Sequence, residues 1–333
     1  MQVGRIVITG STGFIGSHLV GHILSKNRPV TVILRPDSDI SRLKNFKGYN
    51  FVIEEDYSDP TLARKLIDQN CDYFVHCAWR GVSGNDRNNT LQVTENLPNT
   101  IKALELAAAI GCKGWISIGS QAEYGNLNKK IHEDCKPSPT TLYGKAKLSA
   151  GIASLGLCEK YGLRGSHLRI FSTYGPNDQE YRLIPYVINQ FANGKTPQLT
   201  NCEQIWDYLH VEDAARAILA VICSGATGVM NLGSGRATSL KNIIKIISKE
   251  FDNMYANYGS VPYRPDQVMH LESDISRIKN LTGWSPMIPI EKGLADMAKE
   301  ARSKAPSALD NFNEQMRALC SANFNSIKER ANI

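Results

Sequence analysis

A tyrosine and a lysine stand four residues apart in the stretch LYGKAK (142–147). On a helix this spacing places Tyr143 and Lys147 on one face. A tyrosine hydroxyl ordinarily has a pKa of about 10, and a nearby ammonium favours the phenolate and lowers that pKa. Such a tyrosine can exchange a proton near neutral pH. The pair taken alone is equally compatible with a plain surface helix.

A serine adds chemistry to this pair. The run GWISIGS (114–120) has the pattern of a strand, and Ser120 ends it. Its hydroxyl is therefore expected at the carboxyl edge of the predicted sheet, where open α/β sheets bind their ligands.

A glycine-rich segment lies between the first predicted strand and the first predicted helix. TGSTGFIGSH (9–18) carries Gly10, Gly13 and Gly16. Glycines here permit a tight turn and close approach of the backbone to a diphosphate, and the helix N-terminus supplies free N–H groups. In this position the GxxGxxG spacing favours a dinucleotide-binding loop over a plain turn.

Strands and helices alternate through the first half of the chain. The predicted strands cover 5–10, 29–35, 49–56, 72–78, 114–120 and 164–171, and the predicted helices cover 14–26, 61–70, 96–112 and 143–162. This alternation predicts right-handed βαβ units and a parallel sheet covered on both faces. The expected fold class is α/β, a Rossmann-type doubly wound parallel sheet with a smaller C-terminal substrate-binding lobe.

The domain organisation follows from where this alternation decays. We expect a dinucleotide-binding domain over 1–175, the first part of the substrate lobe over 176–206, a return segment to the Rossmann domain over 207–233, and the second part of the lobe over 234–300. Residues 301–333 form a tail in which apolar residues such as Leu309, Phe312 and Met316 recur at helical spacing. This pattern predicts a docked amphipathic helix.

The composition argues against several classes of protein. Of 333 residues, 42% are hydrophobic, and the net charge of +6 comes with no basic stripe, so we expect no nucleic-acid partner. The eight cysteines show no CxxC and no metal-type pairing with histidine, which favours reduced thiols in a cytoplasmic protein without a metal site. We expect neither a signal peptide nor a membrane span.

The glycine loop, the strand-end serine and YxxxK, in this order and spacing, resemble the extended short-chain dehydrogenase/reductase family of nucleotide-sugar epimerases, dehydratases and ketoreductases. The resemblance extends from residue 5 to about residue 300 and includes LRIFSTYGP (168–176), WDYLHVEDAARAI (206–218) and DISRIKNLTGWSP (274–286). It implies that Tyr143 is the acid/base and that Ser120 hydrogen-bonds the reacting oxygen. Lys147 would hold the nicotinamide ribose and tune Tyr143.

The resemblance also implies the cofactor. Relatives that use NAD end the second strand in an aspartate that binds the ribose hydroxyls, whereas this chain has Arg35. An arginine suits a 2′-phosphate, with Arg42 placed to assist, so we expect NADP(H). The alternative is an arginine that only reaches into solvent. The residues expected at the dinucleotide are Gly10, Thr12, Gly13, Phe14, Ile15, Gly16, Arg35, Arg42, Asp56, Tyr57, Cys77, Ala78, Trp79, Asn96, Tyr143, Lys147 and Phe171.

The substrate is expected to be a nucleotide-diphosphate sugar. The residues expected to contact it are Arg80, Ser120, Gln121, Ser172, Trp206 and Arg264. Trp206 stands where many relatives have an arginine, and it can either stack on the ligand or pack in the core. Arg80 can be a ligand contact or a solvated loop residue.

Within the family, several activities remain to be separated. The two acids that relatives use for dehydration are replaced by Gln121 and Ala122, so we expect no dehydration. GSQAEYG (119–125) and neighbouring stretches resemble most the 4-ketoreductases that make CDP-abequose and dTDP-fucose. We expect NADPH-dependent reduction of a nucleotide-diphospho-4-keto-6-deoxyhexose at C4, in deoxysugar biosynthesis. An NAD-dependent C4 epimerase of UDP-hexoses is the alternative. A non-catalytic nucleotide-sensing scaffold is a third, although such proteins usually lose the tyrosine or the lysine.

Two predicted helices look too apolar for a single buried face. On the helix over 143–161, Leu148, Ile152 and Leu155 are expected to face the sheet, which leaves Ala146 and Ala150 on another side. Relatives pair such helices in a two-fold bundle, so we expect a homodimer through helices 96–110 and 143–161. Cover by the lobe or by the tail of the same chain is the alternative.

Overall fold

The computed structural model describes residues 4–82, 84–264 and 267–304. Its strands are β1 Arg5–Thr9, β2 Val30–Leu34, β3 Asn50–Ile53, β4 Cys71–His76, β5 Gly114–Ser120, β6 Lys130–Ile131, β7 Arg164–Ile170, β8 Ser172–Tyr174, β9 Ile205–His210, β10 Gly228–Leu232, β11 Ala237–Ser239 and β12 His270–Ser273. Its α-helices are α1 Phe14–Ser25, α2 Pro60–Ile67, α3 Leu97–Ala109, α4 Leu142–Tyr161, α5 Leu183–Ala192, α6 Val211–Ser224, α7 Leu240–Lys249, α8 Ser276–Thr282 and α9 Ile290–Lys304.

Seven of the strands form one parallel sheet in the order β3-β2-β1-β4-β5-β7-β10. One face packs on α1, α6 and α8, and the other packs on α2, α3 and α4. Cover on both faces explains why all of β2 is buried and why it is apolar except at Thr31. The direction of winding reverses between β1 and β4, which opens a crevice at the carboxyl ends of these strands. The predicted doubly wound Rossmann-type fold is confirmed.

A second, smaller sheet forms part of the C-terminal lobe. Its order is β11-β9-β12-β6, and β8 pairs with β9. Helices α5, α7 and α9 enclose a separate apolar core beside it. Strand β6 falls within the segment 1–175 but pairs with β12 of this smaller sheet, whereas α6 leads back to β10 of the large sheet.

The faces of α4 differ from the prediction. Ile152, expected to face the sheet, is 67% exposed, whereas Ala146 and Ala150, expected on a second side, are buried within the single chain. The inner face carries Gly151, because a Cβ there would lie 2.6 Å from the Nε2 atom of His167 on β7. Because the buried ring of His167 occupies this space, the inner face of α4 has a small residue where the apolar pattern predicts a large one.

Other predictions concern features of the molecule outside its sheets. The tail predicted as a helix from residue 306 lies outside the described residues. Across the described ranges, none of the helices combines the length and apolarity needed to cross a membrane. The cysteines in these ranges are free thiols, and the same ranges contain no cluster of three or more metal-ligating side chains.

Candidate active site

The turn between β1 and α1 is built by glycines that no other residue can replace. Gly10 has φ of +67°, and a Cβ on it would lie 2.5 Å from the backbone nitrogen of Ala78. A Cβ on Gly16 would collide with the carbonyl oxygen of Gly10. Gly13 caps α1 without a side-chain hydrogen bond, so the first N–H groups of the helix, from Phe14 onward, are available to an anion. This cradle fits the diphosphate of a dinucleotide.

A cavity of about 280 Å³ lies at the carboxyl ends of β2, β3 and β4. It brings together seven of the predicted residues: Arg35, Asp56, Tyr57, Ala78, Trp79, Arg80 and Asn96. Cys77 lies between β4 and Ala78, and its N–H donates to the carbonyl of Thr9. The cavity has the position expected for the adenosine half of a dinucleotide.

Ion pairs at the rim of this cavity hold its cations. Arg35 Nε lies 3.1 Å from Asp37, and Lys102 Nζ lies 3.0 Å from Asp56. Hydrogen bonds from the Ser58 hydroxyl and N–H, together with the contact from Lys102, lower the pKa of Asp56 to about 2. Pairs this exposed contribute at most about 1 kcal/mol each. Arg35 can therefore exchange Asp37 for a phosphate at little cost.

The two arginines predicted to act together are separated. Arg42 does not line the cavity with Arg35, because its guanidinium donates to the carbonyls of Thr12 and Asn177, each at 3.1 Å. It therefore ties the phosphate loop to the loop that follows β8. Arg35 stands without Arg42 as the candidate contact for a 2′-phosphate.

Arg80 also differs from its predicted place. Its guanidinium lies 3.1 Å from Glu55 and 3.3 Å from Glu95, within the cavity that contains Arg35. Asn96 fixes its backbone, accepting from the Arg80 N–H and donating to the Arg80 carbonyl, both at 2.9 Å. The structure thus places Arg80 with the predicted cofactor contacts rather than with the substrate contacts.

The predicted catalytic residues converge where β5 meets α4. Ser120 ends β5, where its hydroxyl accepts the N–H of Ala122 at 3.1 Å, and it is close enough to Tyr143 to lower the pKa of that phenol. The first turn of α4 is capped by Thr141, whose hydroxyl oxygen accepts the N–H of Gly144 at 3.1 Å. Lys147 follows one turn later, and Ser120, Tyr143 and Lys147 are each no more than 9% exposed. A carbonyl oxygen placed near Ser120 would therefore meet a proton donor away from bulk water.

Lys147 is held by partners that its spacing from Tyr143 does not reveal. Its Nζ donates to the carbonyl of Ile118 at 2.6 Å and lies 3.7 Å from the ring centroid of Trp79. Burial lowers the pKa of Lys147 to about 7. Burial therefore opposes the ammonium form of Lys147.

The prediction that Lys147 lowers the pKa of Tyr143 is wrong for this structure. The Lys147 Nζ lies 6.0 Å from the Tyr143 ring centroid. Burial of Tyr143 is the dominant effect and raises its pKa, with the Ser120 hydroxyl and the charge of Arg87 opposing that rise. The neutral phenol of Tyr143 is therefore favoured.

Arg87 is a site residue that the sequence did not reveal. Its guanidinium carbon lies 4.9 Å from the ring centroid of Tyr143. Its Nε is buried without a hydrogen-bond partner among the described residues. It lies in the 3₁₀ turn Gly84–Asn88, where the polar run GNDRN gave no signal beyond that of a loop.

Three other predicted substrate contacts lie on β9, on β8 and in the turn that follows β5. Trp206 donates from Nε1 to the carbonyl of Val268 at 2.9 Å and packs against the lobe core, which is the second of the two roles considered for it. Ser172 opens β8 opposite Tyr208. Gln121 follows Ser120 in a 3₁₀ turn.

Two further predicted residues differ in their exposure. Arg264 is exposed to solvent. Phe171, predicted at the dinucleotide, is 3% exposed and packs against Tyr124.

Comparisons with known proteins agree with this geometry. The model of the NAD dependent epimerase/dehydratase family matches residues 6–233. A dTDP-glucose 4,6-dehydratase of Streptomyces griseus is 27% identical over 87% of this chain and 92% of its own. A CDP-abequose synthase of Salmonella muenchen is 24% identical over 88% of this chain and 96% of its own. One similar solved structure is the UDP-N-acetylglucosamine 4-epimerase of Methanobrevibacter ruminantium M1 in complex with UDP-N-acetylmuramic acid. It is 26% identical, the match covers 91% of this chain and 100% of that chain, and the TM-score is 0.82.

Replacing Tyr143 with phenylalanine tests the proton donor. The change keeps the ring beneath Arg87 and removes the hydroxyl, so turnover should fall by about 10² or more. Dinucleotide affinity, measured by fluorescence titration, should change little. Tyr161→Phe, on the same helix but 38% exposed, is the matched control and should leave turnover intact. Near-normal turnover of Tyr143→Phe would contradict the assignment.

Proposed function

The chain belongs to the NAD dependent epimerase/dehydratase family, whose enzymes depend on a nicotinamide dinucleotide, and on that premise we propose that it is an NADPH-dependent reductase. Its proposed substrate is a nucleotide-diphospho-4-keto-6-deoxyhexose, reduced at C4. One observation carries the choice of reduction: Arg35, at the rim of the dinucleotide cavity, suits the 2′-phosphate that distinguishes NADPH. An enzyme that selects the phosphorylated cofactor generally consumes it in a net reduction.

The catalytic residues would divide the work as follows. When bound, the reduced nicotinamide supplies the hydride for C4. Ser120 would orient the carbonyl oxygen, and Tyr143 would protonate that oxygen as it gains negative charge. Burial favours the neutral phenol of Tyr143, which is the protonation state that reduction requires. Lys147 would bind the nicotinamide ribose, and solvent would restore the proton that Tyr143 gives up.

Dehydration is disfavoured by the state of the nearest acid. Gln121 and Ala122 carry no carboxylate, and the following residue, Glu123, is fully buried. Burial alone would raise the pKa of Glu123, but His167 and Arg169 outweigh it and lower the pKa to about 2. A carboxylate with so low a pKa cannot donate a proton near neutral pH. This leaves reduction or epimerisation.

Arg87 is the cation best placed to meet a charge on the substrate. Arg80 is paired with two acids on the cofactor side, and Trp206 packs on the lobe. Arg87 adjoins Tyr143 and has a buried Nε without a partner among the described residues. We assign to it a contact with an anionic group of the nucleotide sugar.

A C4 epimerase of UDP-hexoses is the second candidate. Similarity to a solved UDP-sugar 4-epimerase over 91% of the chain favours it. Such an enzyme would return the hydride within each turnover and would keep oxidised NAD through purification. A non-catalytic nucleotide sensor is a weaker candidate, because Ser120, Tyr143 and Lys147 are all present and adjacent.

We also propose a homodimer through α3 and α4, for a reason that differs from the sequence prediction. Ile152 on α4 is 67% exposed, and Val93, in the π-helical turn that leads into α3, is 41% exposed. Helices α3 and α4 pack along each other, so one partner can cover the exposed side of both. A second copy that covered this surface would bury both.

A substrate panel tests the proposed reaction. NADPH oxidation should be observed with at least one of the dTDP-, CDP- or GDP-linked 4-keto-6-deoxyhexoses, and protein as purified should carry no tightly bound NAD. Bound NAD together with interconversion of UDP-hexoses, without net oxidation of NADPH, would replace the reductase by the epimerase.

Arg35→Asp tests the choice of cofactor. The 2′-phosphate would lose a cation and meet an anion, so the preference for NADPH over NADH should reverse, at a loss of about 2–4 kcal/mol for NADPH. Steady-state kinetics with both dinucleotides measures this. Lys44→Asp changes the net charge equally at an exposed position outside the cavity and should leave the preference unchanged. A wild-type protein that already prefers NADH would overturn the argument from Arg35.

Ile152→Glu tests the dimer. The wild-type protein should have about twice the chain mass of 36.8 kDa by light scattering at micromolar concentration. The variant should be monomeric, because the new carboxylate would be buried without a partner in the dimer. Ile67→Glu, at a residue that is 53% exposed on α2, is the control and should remain dimeric. A glutamate at Ala150 would not test the dimer, because Ala150 is 2% exposed and is therefore already buried within one chain. A monomeric wild-type protein would refute the dimer.

A further inference from the structure

Behind the catalytic residues lies a buried carboxylate that the proposed reaction does not use. Glu123 ends the 3₁₀ turn that follows β5 and is fully buried. It accepts the N–H of Ser120 at 2.8 Å, Nε2 of His167 at 2.9 Å and Nε of Arg169 at 2.7 Å. A buried carboxylate is costly unless it is paired and hydrogen-bonded. Here three donors satisfy it.

The surrounding elements are shaped to hold this group. His167 is fixed from its other side, where Nδ1 lies 2.8 Å from the Ser117 hydroxyl. Gly119 and Gly151 leave room for the ring of His167, since a Cβ on either would collide with it. The guanidinium of Arg169 lies 4.5 Å from the ring centroid of Tyr124. Residues of β5, β7 and α4 thus converge on one carboxylate beneath Ser120.

Glu123 and Lys147 lie against the same peptide unit of β5. A Cβ on Gly119 would be 2.5 Å from Oε1 of Glu123, and the carbonyl of Ile118, which precedes Gly119, accepts from Lys147 Nζ at 2.6 Å. Burial lowers the pKa of Lys147 to about 7, and the carboxylate of Glu123 is the leading influence that opposes this fall.

The other titratable groups that face Lys147 carry no charge at neutral pH. On its own helix Tyr143 is a neutral phenol. At the end of β4, burial lowers the pKa of His76 to about 3 and raises the pKa of Cys77 to about 12, so both are neutral. Among the described residues that face Lys147, Glu123 is therefore the negative charge.

We propose that Glu123 is a positioning residue that holds Ser120 through its backbone N–H and favours the ammonium form of Lys147. This inference rests on the roles proposed above for Ser120 and Lys147 and is independent of the identity of the sugar. A carboxylate one residue nearer to Ser120 would lie at the position of the acids used for dehydration. At position 123 it instead supports the catalytic residues from behind.

The test is the pH dependence of dinucleotide binding, which needs no sugar. The Kd of NADPH, or of NADH if the wild-type protein prefers it, is measured from about pH 5 to about pH 9 by fluorescence titration. If the ammonium binds the ribose, affinity is present below the pKa of Lys147 and falls as the pH rises through it. Because the cofactor is chosen by what the protein binds, a failure of the NADPH assignment does not affect this measurement.

Glu123→Gln removes the charge and keeps the shape of the side chain. Without the carboxylate the pKa of Lys147 falls, so the midpoint of the binding curve should move to lower pH by about one unit. Affinity on the alkaline side should weaken by about tenfold. A folded Glu123→Gln with the wild-type midpoint would overturn the proposal.

Two further variants separate this effect from loss of stability. Asp213→Asn removes another fully buried carboxylate, one that binds Arg216 and the N–H groups of Met287 and Ile288. It should lower stability without moving the midpoint. Glu123→Asp keeps the charge but shortens the reach to the Ser120 N–H, so turnover should fall while the midpoint stays. If Glu123→Gln does not fold, Glu123→Asp is the variant that tests the proposal. Turnover of Glu123→Asp equal to that of the wild-type protein would contradict the proposal.

Discussion

One ammonium group held almost out of water, that of Lys147, is the constraint on which the catalytic region depends. Its Nζ has a backbone carbonyl and the face of Trp79 as its close partners. Burial of a charge is tolerated only when other charges and dipoles compensate for it. The carboxylate of Glu123, itself held by Arg169 and His167, supplies that compensation. The geometry of Ser120 and Tyr143 is set within the same polar core.

The charged groups at the dinucleotide cavity are exposed to water, unlike those near Lys147. There the cations are paired with acids at the surface, and such pairs are weak because water screens them. Arg35 and Lys102 can exchange partners when an anion arrives, whereas the pairs of Glu123 cannot. Recognition of the cofactor is thus assigned to exchangeable contacts, and positioning of the reacting groups to permanent ones.

Two contacts join the phosphate loop to the segment that enters the lobe. Arg42 links the carbonyls of Thr12 and Asn177, and His18 on α1 lies 2.9 Å from the carbonyl of Pro176. These contacts fix the phosphate loop and α1 against the segment that leads from β8 into the lobe.

The sequence by itself determined the fold class, the glycine turn and the adjacency of Ser120, Tyr143 and Lys147. These depend on local spacing and on alternation of strand and helix, which a single chain displays directly. Tertiary structure decided what burial does to these groups. The pKa of Tyr143 rises rather than falls, because burial outweighs the opposing influences of Ser120 and Arg87, and the Lys147 ammonium donates to the carbonyl of Ile118.

The same limit applies to partners that are distant along the chain. Arg42 and Arg80 looked like ligands for phosphate, and each is engaged by groups far away in sequence. His167 on β7 limits the size of the residue at the inner face of α4, and the spacing of apolar residues along a helix does not reveal such a contact. Charge balance and volume in a packed interior depend on which elements meet, and only the folded chain specifies that.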